Sequence, residues 1–393
     1  STLNAVFDLC RNTLRLCSNE FLMDTPWREQ AQWLGDVAAV TLGGIYSCFG
    51  DTALAGKFIR QAAANQLPTG LLANISNSTK HHWSGVIPDY SLWWIMGVWD
   101  HYLYTGEERW IHGFYPAIVR VLQAFEPHLN EHGLLQDMPY WVLIDWADVD
   151  RRGECTALNA IFAGALEAIE KMARLKGDAD TLGKVERLLG SLRVNLQVRC
   201  FDPERGCFAD ARVDDEFSPK TSEHASMAAV RWGLCDDDTA AAIVSRFYEE
   251  RSVGYAEAQP FFTTVVLQAL DRVGRFDLAL EVVRERWGER MVKRGVTSTL
   301  EEWYMNGSWR SGEFKGFLRS HSHAWSAHPA EFLIRNLIGL QIVEPGCAAV
   351  RLEPREVPFD YDVVFPTPRG PIRVRRQDGA DKIELPDGVR RVE

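Results

Sequence analysis

From residue 1 to about 340, apolar residues recur at helical spacing, and Gly or Asp interrupts them at short intervals. FGD at 49–51, TGE at 105–107, KGD at 176–178 and LCDDD at 234–238 read as helix ends. The pattern predicts helices near 3–17, 27–49, 51–65, 89–105, 109–129, 155–175, 178–199, 222–233, 237–250, 259–273, 275–289 and 325–338. About twelve helices in sequential antiparallel pairs can close on themselves as an (α/α)6 barrel or run on as an open superhelix. No fixed-period repeat is visible, which favours the closed ring. FDPERGCFAD, 201–210, reads as a short hairpin. Beyond about 341 the segments GCAAVRLEPRE, DYDVVFPTPRGPIRVRR and DKIELPDGVRRVE alternate in the strand manner, with Pro and Gly at the turns. The expected fold class is all-α: an (α/α)6 barrel over 1–340, with a short β-strand region over 341–393 packed on it because it is too small to fold alone.

Composition narrows the function. The net charge of -11 lacks the basic face that nucleic acid requires. No apolar run approaches the roughly 20 residues of a membrane span, so no membrane partner is expected. The eight cysteines are scattered without a CxxC pair, and no charged-then-apolar segment opens the chain. Buried free thiols and a cytoplasmic, reducing location are the expectation. Fourteen tryptophans are many for this length; indoles stack well against the apolar faces of sugar rings.

DTPWREQAQWLGD, 24–36, concentrates the chemistry. Thr25 suits an N-cap and Pro26 a first helical position. On a helix beginning there, Glu29, Trp33 and Asp36 share one face, with Asp24 at its amino end. In a pocket such carboxyls would separate in pKa, leaving one as a proton donor and another ionised. The bland alternative, a capping aspartate and a solvated charged face, is equally open on this stretch alone.

A second cluster is STLEEWYMNGSW, 298–309, where Glu301, Glu302 and Trp303 precede Asn306-Gly307. Adjacent residues cannot both point into one cleft, so one of the two glutamates is expected to act. SHSHAW, 320–325, puts His321 and His323 on the same side of an extended segment, with His328 close by. Their spacing is not diagnostic of a metal, and neither metal nor cofactor is expected. WSGVIPDYSLWW, 83–94, sets Asp89 at a helix start beside Trp83, Trp93 and Trp94, and LIDWADVDRRGE, 143–154, sets Asp145 and Trp146 before another helix. Each is also readable as an N-cap with core aromatics. Acid and indole recurring at helix starts is what inner helices opening onto one mouth would give.

Two carboxylates far apart in sequence, tryptophans and a helical ring suggest glycoside hydrolysis, one carboxyl protonating the leaving oxygen and the other activating water. The same residues resemble the catalytic domain of bacterial α-L-rhamnosidases, glycoside hydrolase family 78, over nearly the whole chain. DTPWREQAQWLGD is similar to that family's Asp-Cys-Pro-x-x-Glu-x-x-x-x-x-Gly-Asp stretch, and DYSLWWIMGVWDHYLYTGE to the helix pair that follows. STLEEW resembles its Thr-x-Trp-Glu-x-Trp stretch, with Leu300 in place of Trp, and SHSHAWSAHPAEFL resembles its next helix start. The resemblance implies an (α/α)6 barrel flanked by β-domains and inversion at the anomeric carbon. It implies Glu29 as general acid and Glu301 as general base. Asp24, Trp33, Asp36, Trp146 and His323 are implied to line the sugar subsite. Arg28, where the family varies, and Asp89 are grouped with them. The implied partner is a carbohydrate with a terminal α-L-rhamnose.

Two other readings stay open on the sequence. A related hydrolase or phosphorylase for a different sugar would use the same acid, and Arg310, Lys315 and Arg319 lie near the presumed base for a phosphate. A carbohydrate-binding domain without turnover would keep the groove, though burying surplus carboxylates for that purpose is costly.

Overall fold

The computed structural model describes residues 1–76, 85–303 and 319–393. Among the described residues, twelve α-helices of seven residues or more are present. They are α1 (Thr2–Leu16), α2 (Leu42–Phe49), α3 (Ala53–Ala64), α4 (Pro88–Thr105), α5 (Arg109–Phe125), α6 (Thr156–Lys176), α7 (Ala179–Cys200), α8 (Glu223–Arg231), α9 (Asp237–Val244), α10 (Thr263–Arg272), α11 (Phe276–Val282) and α12 (Pro329–Arg335). π-turns over Val37–Thr41, Ser245–Glu249 and Val283–Glu289 extend α2, α9 and α11.

Burial sorts these helices into two layers. In α6 every residue from Thr156 to Leu166 is buried, whereas its successor α7 buries one stripe, Val185, Leu189, Leu192, Leu196 and Cys200, at spacings of three and four. A helix apolar all round belongs inside, and one with a single stripe lies against it. The same contrast separates inner α8, buried from Glu223 to Val230, from outer α9. The buried helices neighbour one another in the order α12, α2, α4, α6, α8, α10. Close approach needs glycine at Gly164 of α6, where a Cβ would fall 2.2 Å from Trp232 Nε1 just beyond α8.

One expected helix starts later than its sequence suggests. Residues 26–29 form turns, Gln30 has φ 51°, and regular helix begins only at Leu34. The cause is a closed loop. The Asp24 amide donates to the Ala31 carbonyl at 2.9 Å, and Asp24 Oδ1 accepts the Ala31 amide at 2.9 Å. Beyond it, the Leu34 amide donates to the Asn74 carbonyl and the Ser76 amide to that of Gln32, so residues 32–34 are held extended against 74–76. Thr25 and Pro26 therefore do not open a helix.

The expected hairpin is present as antiparallel β2 (Phe201–Asp202) and β3 (Cys207–Phe208), following a two-residue β1 (Glu154–Cys155). β1 pairs with β4 (Ala211–Val213), which pairs with β5 (Glu216–Phe217). After 340, β6 (Gln341–Glu344) and β7 (Ala349–Arg351) are antiparallel, and β11 (Arg390–Val392) joins β7 in parallel. β8 (Tyr361–Phe365), β9 (Ile372–Gln377) and β10 (Ala380–Glu384) form a meander. These strands sit on the end of α4. Gly106, φ 75°, stops that helix, and a Cβ there would lie 2.9 Å from the Gly346 backbone. Tyr104 OH donates to the Pro366 carbonyl at 2.9 Å. All eight cysteines are free thiols, six of them buried. Among the described residues no helix is long and apolar enough to cross a membrane.

Candidate active site

The cleft lies where the amino ends of the inner helices meet the loops before them. Glu29, Trp33, Asp36, Tyr90, Trp146, Glu301, His323 and Trp325 line it, with Ile87, Trp141 and Leu143, around a cavity of about 50 Å³. Residues expected from a shared helical face thus converge by another route. Glu29 lies in the turn, Trp33 at the end of the extended stretch and Asp36 in the first helical turn.

Arg28 sits between the two candidate catalytic carboxylates. Its Nη1 is 3.0 Å from Glu29 Oε1, its Nη2 is 2.6 Å from Glu301 Oε2, and its Nε donates to Ser320 Oγ at 3.2 Å. Glu301 also accepts the Ser320 amide at 2.8 Å through Oε2. Trp325 Nε1 donates to the Glu301 carbonyl, and His323 Nδ1 lies 4.0 Å from its carboxylate. Trp33 Nε1 donates to Glu29 Oε2 at 2.8 Å.

Glu302 is fully buried and pairs with Arg319, whose guanidinium also lies 5.7 Å from the Trp146 ring centre. The neighbouring glutamates therefore face different surroundings, Glu301 the cleft and Glu302 the protein. Of the basic residues considered for a phosphate, Arg310 and Lys315 lie outside the described residues.

Asp24 is fully buried beside Glu29. Two carboxyls in hydrogen-bonding contact share a proton, and the more deeply buried one keeps it. Burial, and then the bond to Glu29, push Asp24 well above the usual carboxylate range. Burial also pushes Glu29 up, but the hydrogen bond from Asp24 and the charges of Arg28 and His323 outweigh it and hold Glu29 low. Asp36 is raised by burial, although its hydrogen bond to His323 opposes this. Its two oxygens are divided: Tyr90 OH donates to Oδ1 at 3.1 Å, and His323 Nε2 meets Oδ2 at 3.1 Å.

Asp89, grouped with the substrate residues from sequence, does not reach the cleft. Its Oδ1 and Oδ2 accept the Leu143 and Ile144 amides at 3.1 and 3.2 Å, bracing a loop in which Ile144 has φ 53°. Asp145 likewise holds structure: it accepts the Trp146 and Gln259 amides and meets His224 Nε2 at 2.7 Å. Tyr90 enters the cleft instead, one residue beyond Asp89. Trp146 does reach it, its ring 5.4 Å from Trp141 and 6.5 Å from Trp325. The three histidines separate: His323 is in the cleft, His321 is exposed, and His328 Nε2 contacts the Pro260 carbonyl at 2.9 Å. Among the described residues no cluster of three potential metal ligands occurs. Trp83 lies outside the described residues.

Comparison with known proteins gives the family of the chain. The family model for the bacterial alpha-L-rhamnosidase 6 hairpin glycosidase domain matches residues 1–337. No curated protein sequence matches. Among solved structures, the family 78 rhamnosidase of Bacillus sp. GL1 superposes with a TM-score of 0.90 at 26% identity, over 99% of this chain and 41% of that one. The Klebsiella oxytoca rhamnosidase, solved with rhamnose bound, gives 0.74 at 19% identity, over 84% and 63%. A family 63 mannosylglycerate hydrolase from Thermus thermophilus gives 0.58 at 13% identity, over 84% and 99%, a likeness of fold alone. The chain thus spans less than half of the Bacillus enzyme. On the match over 1–337, the chain belongs to the bacterial α-L-rhamnosidase six-hairpin glycosidase family.

Proposed function

We propose that the chain carries the catalytic site of an inverting glycoside hydrolase that removes a terminal α-L-rhamnose from a glycoside or oligosaccharide. The observation that carries this reading is the pairing of Glu29 and Glu301 with the two terminal nitrogens of one guanidinium. Two contacts of 3.0 and 2.6 Å plus the width of that group bound the gap between the carboxylates. That upper bound admits a separation within the roughly 6.5–9.5 Å that leaves room for an attacking water.

In this mechanism Arg28 gives way as the sugar enters. Losing that cation, and losing water from the cleft, raises Glu29, which takes the proton held beside it by Asp24 and delivers it to the glycosidic oxygen. Glu301 accepts a proton from water on the opposite face of the ring. Asp36, oriented by Tyr90 and His323, binds sugar hydroxyls, and Trp146 and Trp33 offer indole faces to the ring and its C6 methyl. The alternation of inner and outer helices supports closure of the hairpins as an (α/α)6 barrel over 1–340, with 341–393 as a strand region packed against it. The test is release of free rhamnose from an aryl α-L-rhamnopyranoside, and its loss in Glu29→Gln and Glu301→Gln by at least about 10²–10⁴-fold each. Near-full activity in both variants would overturn the assignment.

A further inference from the structure

A second cavity lies at the other end of the same helices. On α4, Tyr90 lines the cleft, whereas Asp100 and Tyr104 line this cavity; ten residues of helix put Asp100 about 15 Å further along the axis. An aromatic partition separates the two. Phe261 packs against Tyr90 at 6.4 Å, Trp93 at 6.5 Å and Trp325 at 5.1 Å between ring centres. The cavity measures about 700 Å³, within the roughly 300–1,000 Å³ typical of ligand sites. Its outer rim includes Arg272, Gln341 and Glu353, all exposed.

The charges on its wall balance: four arginines face four acids. Two pairs are internally matched, Arg335 with Glu331 at 2.9 Å and Arg355 with Asp271 at 3.0 Å. Inside the rim this leaves Arg231 and Asp100. Arg231 Nε donates to Gln268 Oε1 at 2.5 Å; among the described residues its Nη groups make no ion pair, and the Asp100 carboxylate has neither ion pair nor hydrogen bond. Asp100 is exposed and Arg231 half-buried, and both line the open space of the cavity. The field of a helix carboxyl end accounts for Arg231, Arg272 and Arg335, each in a last turn. It does not account for Asp100, which lies in the carboxyl-terminal half of α4, where that field disfavours an anion.

An ionic ligand would pair with one of these two groups and be repelled by the other. A neutral molecule with several hydroxyls satisfies both, donating to the carboxylate and accepting from the guanidinium. Trp93 and Trp232, 5.9 Å apart, give the same wall an indole surface for C–H faces. We propose that this cavity is a second ligand site, remote from the cleft, for a neutral polyhydroxylated molecule of mono- or disaccharide size held between Asp100 and Arg231. It does not depend on which bond the cleft cleaves.

The experiment is calorimetry and saturation-transfer NMR on the full chain with myo-inositol, D-glucose, sucrose and L-rhamnose. It is repeated on Asp100→Asn, Arg231→Lys and the cleft variant Asp36→Asn, with circular dichroism to confirm folding. The expected result is saturable binding of at least one of the four that survives Asp36→Asn and weakens about tenfold or more in Asp100→Asn, which keeps the side-chain shape should Arg231→Lys not fold. Three outcomes would overturn the site: no saturable binding of any of the four, binding abolished by Asp36→Asn but indifferent to the cavity variants, or competition for the cavity by acetate or guanidinium. Rhamnoside turnover is not part of the readout, so failure here and failure of the catalytic assignment are separate results.

Discussion

Arg28 Nη2 lies 2.6 Å from Glu301 Oε2, so the free protein keeps a cation on the carboxylate proposed as its base. The same guanidinium holds Glu29 below its ordinary range, after the hydrogen bond from Asp24. Replacing it by Met removes a stabiliser of ionised Glu29, and the pKa of that group rises. A general acid acts only while protonated, so the alkaline limb of kcat/KM in Arg28→Met moves to higher pH. A limb that stays put or moves to lower pH contradicts the placement of Arg28 against the acid.

Glu301 and Glu302 are adjacent but differ in their partners, and the difference is measurable. Glu302→Gln strands the buried Arg319 cation, at a cost of roughly 3–5 kcal/mol in unfolding free energy. Turnover by the protein that remains folded stays within about tenfold of the parent. Glu301→Gln gives the opposite split: turnover collapses by at least about 10²-fold while stability changes little. Urea unfolding and kcat measured on both variants decide it, and a collapse of kcat in Glu302→Gln with the fold intact would reassign the base.

The helices were legible in the sequence because their apolar stripes and Gly stops are local signals. Gly50, Gly106 and Gly177 all adopt the left-handed conformation at helix ends, where the sequence reading put the stops. The start at Pro26 misled because Asp24 and Ala31 close a seven-residue loop and because 32–34 pair with 74–76, some forty positions away. The site was legible as a set of residue types and not as a geometry. Asp89 and Tyr90 show why: one step along a helix turns a side chain by about 100°, which puts the tyrosine in the cleft and the carboxylate under the 143–144 loop. The Glu302–Arg319 pair, which distinguishes the two glutamates, has no local signature at all.

Asp89 gives a third prediction. Asp89→Ala leaves the buried Leu143 and Ile144 amides without their acceptor, each omission costing roughly 1–3 kcal/mol. The melting temperature falls by several degrees at least. KM changes only through disorder of the loop, and adding a stabilising osmolyte restores it. A raised KM at unchanged melting temperature would return Asp89 to the sugar subsite.

Two buried histidines weaken the fold in acid, and buried carboxyls oppose them. Burial pulls His101 down to about 4 and His328 to about 3, whereas each takes its proton near 6.5 once unfolded. The unfolded chain binds more protons across that interval. The histidines' contribution is therefore present above about pH 6.5 and is lost as pH falls toward 4 and then 3. Asp89, raised to about 6 by burial, works the other way: its contribution is present below about 3.9 and is lost as pH rises through 6. Asp24 and Asp36, raised by burial, act with Asp89, so the share of His328, on the order of several kcal/mol from pH 7 to 3, is read as the difference between the parent and His328→Asn. Urea midpoints of both proteins across that range check it, and a parent midpoint that falls no more steeply than the variant's contradicts it.

The most direct test of the central claim is a proton NMR time course of the chain with an aryl α-L-rhamnopyranoside, following the anomeric signals from the first turnover. A Glu29 acid facing a Glu301 base across a water predicts free rhamnose appearing first as the β-anomer, with release lost in Glu29→Gln. Rhamnose appearing first as the α-anomer, or release undiminished in that variant, would contradict it.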